Sequence, residues 1–240
     1  MPCTFDELEL MLDQLMEEEA RKFLDTVPHA AHLTDQSQPL DEAYYVRHRI
    51  ETVKRIRLTA KVDALALARM IDEDYEAARQ WSRYASQELS HDLLYLEDLR
   101  HHGYSERQVD ATEPFPATRE MLRYLEESIE RFGAIAAVAY SLFVEWNSAR
   151  YSRKAVAKAA SHFSRRFVKG SQAHVAIDDE LDHYYVMADI AHRLSRNDSD
   201  QAILVTLIRR IASSFRDYFT QLYWATVGAP EAAVHDQAPR

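Results

Sequence analysis

LDEAYYVRHRIETVKRIRLTAKVDALALARMIDEDYEAARQWSRYASQELSHDLLYLEDLRHH, residues 40–102, runs without one glycine or proline. Turns need residues that accept unusual backbone angles or forgo a backbone donor, so a stretch this long without either reads as helix. The pattern extends outward. The four glycines of the chain, Gly103, Gly133, Gly170 and Gly228, stand where helical periodicity stops or restarts. The prolines, at positions 2, 28, 39, 114, 116, 230 and 239, lie outside the periodic stretches. An all-α, single-domain helical bundle is expected over residues 1–227, followed by a mobile tail at 228–240. Thr4 with Glu7 forms a capping box opening a first helix to about Leu24. Further helices are expected over Asp41–Arg100, broken once near Thr59 or Asp74, and over Ala117–Arg131. Gly133–Phe167, Ser171–Leu194 and Gln201–Val227 complete the set.

Composition bounds the function. In 240 residues the net charge is −10, with no basic run, which disfavours nucleic acid and anionic membrane as partners. Cys3 is the only cysteine, so no internal disulfide forms, and a reducing compartment is expected. Phe5 to Glu19 is acidic and amphipathic rather than a signal peptide. The most apolar stretch, Phe132–Ala149, holds Glu145, Ser141, Tyr140 and Asn147 and reads as a core helix rather than a membrane span. A cytoplasmic protein is expected.

Three stretches carry the chemistry. Glu145 is the only charged residue between Arg131 and Arg150, in a helix that is apolar nearly all round. Such a helix is buried, and a lone carboxylate there must be neutralised, paired or metal-bound. The bland alternative is a structural Glu–Arg or Glu–Tyr contact. The second stretch is Trp81–His91. At about 100° per residue, Trp81, Tyr84, Ala85, Leu89, Tyr95, Leu96 and Leu99 share an apolar face. Glu88 lies near its middle and His91 at its edge. This Glu-x-x-His spacing lets one helix offer two ligands to one ion. Asp92 also points roughly inward. The third stretch is His174–His183. His174 and Asp178 lie beside the stripe of Ile177, Leu181, Tyr185 and Ala188, and Asp182 follows one turn later. On a continuous helix His183 points nearly opposite His174. The bland alternative here is a solvated acidic face. Mixed carboxylate and imidazole donors without thiolates suit iron or manganese rather than structural zinc or an iron–sulfur cluster.

Glu88-x-x-His91, then Glu145, then His174-x-x-x-Asp178 resemble, in order and spacing, the heme-oxygenase-like diiron oxidases and oxygenases. The resemblance covers about Trp81 to Leu194. It implies a heme-oxygenase-like helical bundle holding two Fe(II) ions and using dioxygen as co-substrate. It also implies a small organic substrate (an amino acid, amine or fatty acid) and an external electron donor. Where that family's pattern ends in a histidine three residues after the aspartate, this chain has Leu181, which leaves the sixth ligand between Asp182 and His183. Arg83, Arg150 and Lys169 flank the site in sequence and are candidates to meet a substrate carboxylate. Three other readings compete. A ferritin-like di-iron set would combine Glu51, Glu88, His91, Glu145, Glu180 and His183. A heme enzyme would draw an axial ligand from His29, His32 or His48, and a thiaminase-type enzyme would need a core cysteine, for which Cys3 is badly placed. A non-catalytic helical protein, its Tyr44, Tyr45, Tyr184 and Tyr185 lining a ligand or partner surface, is the alternative of a different class. A homodimer through the outer helices is compatible with either.

Overall fold

The computed structural model describes residues 3–228, with the side chains of Asp179 and Glu180 left out. The expected tail therefore lies, from residue 229 on, outside the described residues. Among the described residues eleven α-helices follow in order: α1 Phe5–Thr26, α2 Glu42–Glu73, α3 Tyr75–Glu88, α4 His91–His101, α5 Glu106–Ala111 and α6 Pro116–Phe132. They continue with α7 Ile135–Asn147, α8 Arg153–Phe163, α9 Lys169–Leu181, α10 His183–Leu194 and α11 Asp198–Ala225. No strand forms among the described residues, and none of their helices is long and apolar enough to cross a membrane.

Helix α7 is the axis of the bundle. Ile135–Leu142 is wholly buried, and α2, α6, α10 and α11 pack round it. Against it lies a core that includes Trp81, Leu125, Leu142, Ile190 and Ile208. A smaller core around Tyr45, Tyr95, Leu99 and Val168 ties α2 and α4 to the α8–α9 region. Local signals fix several ends. Thr4 and Glu7 form the expected capping box, and Pro116 opens α6 at a position where its missing N–H costs nothing.

The long helices are more interrupted than periodicity suggests. The 41–100 stretch breaks at Asp74, whose carboxylate caps α3 by accepting from the Ala77 N–H at 2.9 Å. It breaks again at Leu89–Ser90, where the Ser90 N–H turns to the Gln87 carbonyl at 3.2 Å and tightens the last turn. The Gly133–Phe167 stretch opens into a π-helical turn at Ser148–Ser152 and ends at Ser164, whose φ is 92°. Gly170 does not end a helix as its residue type suggests. It lies in the first turn of α9, where any Cβ would collide with the backbone carbonyl of Leu94. Glycine there lets α9 press onto α4. The Asp98 carboxylate sits in the gap and accepts from the Gly170 and Ser171 N–H groups, each at 2.7 Å. The last break is at Asp182, with φ 46° and ψ 54°, between α9 and α10.

Candidate metal centre

Six side chains from α3, α4, α7, α9 and α10 converge where the two cores meet. Glu88 is the last residue of α3 and His91 the first of α4. Two groups of three share Glu88: Glu88, His91 and His174, and Glu88, Glu145 and His183, with candidate ligand atoms within 4.8 Å of one another in each group. Asp178 turns one oxygen to each group. Its Oδ2 is 3.1 Å from His174 Nδ1 and its Oδ1 is 3.6 Å from His183 Nδ1. His183 Nδ1 also lies 3.7 Å from Glu88 Oε1 and 3.9 Å from Glu145 Oε2. The Nδ1 atoms of all three histidines therefore face the cluster.

These atoms are buried and short of partners. Glu88 Oε1, Asp178 Oδ1 and the Nδ1 atoms of His91, His174 and His183 have no hydrogen bond. His91 Nδ1 is 3.0 Å from Glu88 Oε1, but the pair lacks hydrogen-bond alignment. Five orphaned polar atoms pointing at one spot are costly unless something binds between them. The atoms facing outward, by contrast, are held. Gln87 Oε1 lies 3.1 Å from His183 Nε2, so Nε2–H donates and the Nδ1 lone pair is left inward. Tyr84 donates to Glu145 Oε1 at 2.8 Å, and Ser148, in the π turn, donates to Asp178 Oδ2 at 2.8 Å.

Electrostatics points the same way. Burial, then the charges of Glu88 and Asp178, push the Glu145 carboxyl far above its ordinary pKa. Burial pulls His183 down, while at His91 the neighbouring Glu88 carboxylate outweighs burial and raises it. Three carboxylates so close repel one another unless cations lie among them. Three carboxylates and three imidazoles, with no thiolate, suit two ions such as ferrous iron or manganese. The residues present fit such a pair.

Asp182 is not among them. It is exposed, and its carboxylate caps α10 by accepting from the Tyr185 N–H at 3.4 Å. Its left-handed backbone is what turns His183 inward: on an unbroken helix nine residues of about 100° each would aim His183 away from His174. Asp92 is buried but faces Arg57, whose Nε donates to it at 2.7 Å. Glu51 does not reach the cluster. It accepts from Thr118 at 2.5 Å and from the Phe115 N–H at 3.0 Å, and pairs with Arg47, which fixes the start of α6. The ferritin-like set is therefore not assembled, and its Glu180 lies outside the described side chains. Of the histidines considered for heme, His32 accepts the Asp41 N–H and His48 meets Tyr218, and neither belongs to the cluster.

A cavity of about 290 Å³ opens on one side of the centre. Glu88, Glu145 and His174 form one wall, and Tyr95, Tyr140, Phe143, Val144 and Phe215 contribute apolar and aromatic surface. The cations that line it are not those expected. Arg83 and Lys169 are exposed, and Arg150 pairs with Asp13 while stacking over Trp146. Instead α2 supplies Arg49 and Arg55, which sequence reading passed over. A faint signal was present: Arg49 and Arg55 flank the helically spaced Thr52, Ile56, Thr59 and Asp63 on one face of α2.

No protein-family model matches the chain, and no curated protein matches it. Among solved structures it is similar to a domain of unknown function with a heme oxygenase-like fold from Shewanella denitrificans. The two are 19% identical and superpose with a TM-score of 0.80, over 95% of each chain. At that identity the likeness speaks for architecture alone: this chain is a single helical domain with a heme-oxygenase-like fold.

Proposed function

We propose that the protein is a non-heme diiron enzyme that uses dioxygen to oxidise a small organic molecule. The observation that carries this reading is Glu88, shared by two three-residue groups that each suit one ion. Glu88, His91 and His174 would hold one ion, Glu88, Glu145 and His183 the other, with Asp178 reaching both. When bound, two ferrous ions supply the electrons and open positions that dioxygen needs for reduction.

The chain's own residues set the conditions for that chemistry. Gln87 fixes the tautomer of His183, and Tyr84 and Ser148 fix the carboxylates of Glu145 and Asp178. Tyr140, Phe143, Val144 and Phe215 keep water from the substrate's side of the centre and give it an apolar bed. The reading also calls on an external electron donor to return the centre to its reduced state between turnovers.

The test is anaerobic binding of ferrous ion, counted per chain. Wild type should take up two equivalents, His183→Ala about one, and Glu88→Ala essentially none, because both groups lose a member. Equal loss in His183→Ala and Glu88→Ala would remove the shared-carboxylate arrangement. Absence of specific uptake by wild type would sink the enzyme reading and leave a helical ligand-binding protein.

A further inference from the structure

Arg49 and Arg55 line the cavity, and neither forms an ion pair among the described residues. Arg49 is 8% exposed, with its Nε buried and unpartnered; Arg55 likewise has a buried, unpartnered Nη1. The acids that bear on them are engaged elsewhere. Glu51, near Arg55, is taken up by Arg47, Thr118 and the Phe115 N–H, and Asp98, near Arg49, by Gly170 and Ser171. What the arginines do have is aromatic surface and phenols. Arg49 lies over the rings of Tyr45 and Tyr95 at 5.0 and 5.1 Å, and Arg55 over Phe215 at 5.0 Å, with Tyr140 beside it. Ring contacts of this kind orient a guanidinium without neutralising it. Both side chains leave the same stretch of α2, flanking the stripe of Thr52 and Ile56 that lines the cavity, and so border one end of it. Burial and then the two arginines hold His48 neutral there.

We infer that this end of the cavity receives the carboxylate of an apolar organic acid, held by Arg55 and Arg49, with the opposite end of the molecule facing Glu88. A buried and a half-buried cation without counter-ions are costly, and a carboxylate is the planar anion whose two oxygens match the guanidinium fork. The wall between is apolar, so the acid's body is hydrocarbon rather than polar. Arg55 lies eight positions before Asp63 on α2, about 12 Å of helix rise, and Asp63 lines the cavity where Glu88 does. By the other route the Tyr95 ring separates Arg49 from His174, whose ring centre is 5.2 Å from that of Tyr95. The anchored carboxylate is thus remote from the candidate centre, and a body of several carbons is needed to reach it. Recognition of the acid stands on the arginines alone; only the assignment of its far end to the metals rests on the proposed function.

The test uses decanoate, decanol and decylamine, titrated into the metal-free and the manganese-loaded protein. Decanoate should bind at least tenfold more tightly than decanol, and decylamine should not bind. Arg55→Gln should lose at least tenfold in decanoate affinity while keeping wild-type ferrous uptake, and Arg55→Lys should recover part of it. Equal binding of decanoate and decanol, or an Arg55→Gln variant that binds decanoate as wild type does, would overturn the assignment. Should Arg55→Gln fail to fold, the decanoate–decanol comparison on wild type decides alone. With manganese in the centre, the terminal methyl protons should relax faster than those beside the carboxylate; the reverse order would overturn the orientation. Failure of the diiron reading shows separately, as lost ferrous uptake with decanoate affinity intact.

Discussion

Asp63 shows how one side chain at the rim of the site shapes the empty protein. Burial, and then the Glu88 charge, raise its carboxyl to about 7. Its folded-state proton is held more tightly than in the unfolded chain, where an aspartate titrates near 4. Ionised Asp63 therefore destabilises the fold progressively as pH rises from about 4 to about 7. In the metal-free protein Asp63→Asn should leave stability unchanged at pH 4 and raise it by a few kcal/mol at pH 8, read as a rise in chemical-denaturation midpoint. A midpoint gain that is the same at both pH values would show that packing, not charge, is responsible. Single residues were also where sequence spoke most clearly. Glu145 announced itself as the one charge in an apolar helix, and Glu88 as a carboxylate near the middle of an apolar face. Arg49 and Arg55 gave only the faint signal of flanking that face of α2, because an arginine in an amphipathic helix looks the same whether its head reaches solvent or a cavity.

At the scale of the element, breaks matter more than helices. His183 was legible as one of two candidates for the sixth ligand, but a helical wheel, which presumes an unbroken helix, aims it away from His174. The break is a single left-handed residue, Asp182, without the glycine that usually marks one. Aspartate tolerates that conformation because its short side chain bonds locally, here to the Tyr185 N–H. Asp182→Gly should preserve both the fold and metal uptake. Asp182→Val should cost about 1–2 kcal/mol and lower ferrous uptake toward one equivalent, as the β-branched side chain drives the junction toward continuous helix and His183 outward. Uptake by Asp182→Val equal to wild type would separate the break from the site. Gly170 marks the converse case, a glycine read as a stop that is instead a point of contact. Gly170→Ala must displace Leu94 or α9, and a melting-temperature drop of several degrees, in line with a typical cost of about 1–3 kcal/mol for overpacking, is expected. The breaks at Leu89–Ser90 and Ser148–Ser152 carry no sequence signal of this kind. At the second, Ser148 uses the opened turn to donate to Asp178.

For the molecule as a whole, the all-α class and the order of the helices followed from periodicity and from the placement of glycine and proline, and the bundle agrees with both. The cavity did not follow, since volume is a property of how α2, α4, α7 and α11 meet rather than of any one of them. A ligand bound by the folded chain alone stabilises it by mass action. Ferrous ion or manganese at 100 times its dissociation constant should add about 2.7 kcal/mol per independent site, seen as a rise in unfolding temperature that chelation reverses. The rise should vanish in Glu88→Ala. A rise of equal size in that variant would place the ions elsewhere.

The candidate ligands sit at helix ends as well as within helices: Glu88 closes α3, His91 opens α4 and His183 opens α10. With one cysteine, Cys3, the chain has no covalent way to fasten such junctions to one another. Ions seated among them would serve as removable cross-links, each drawing segments far apart in sequence into one knot and withdrawing conformations from the unfolded ensemble much as a disulfide does. The same joints that let the helices change direction at the centre would then be the first to loosen when it empties, so that occupancy would set how long the chain survives proteolysis.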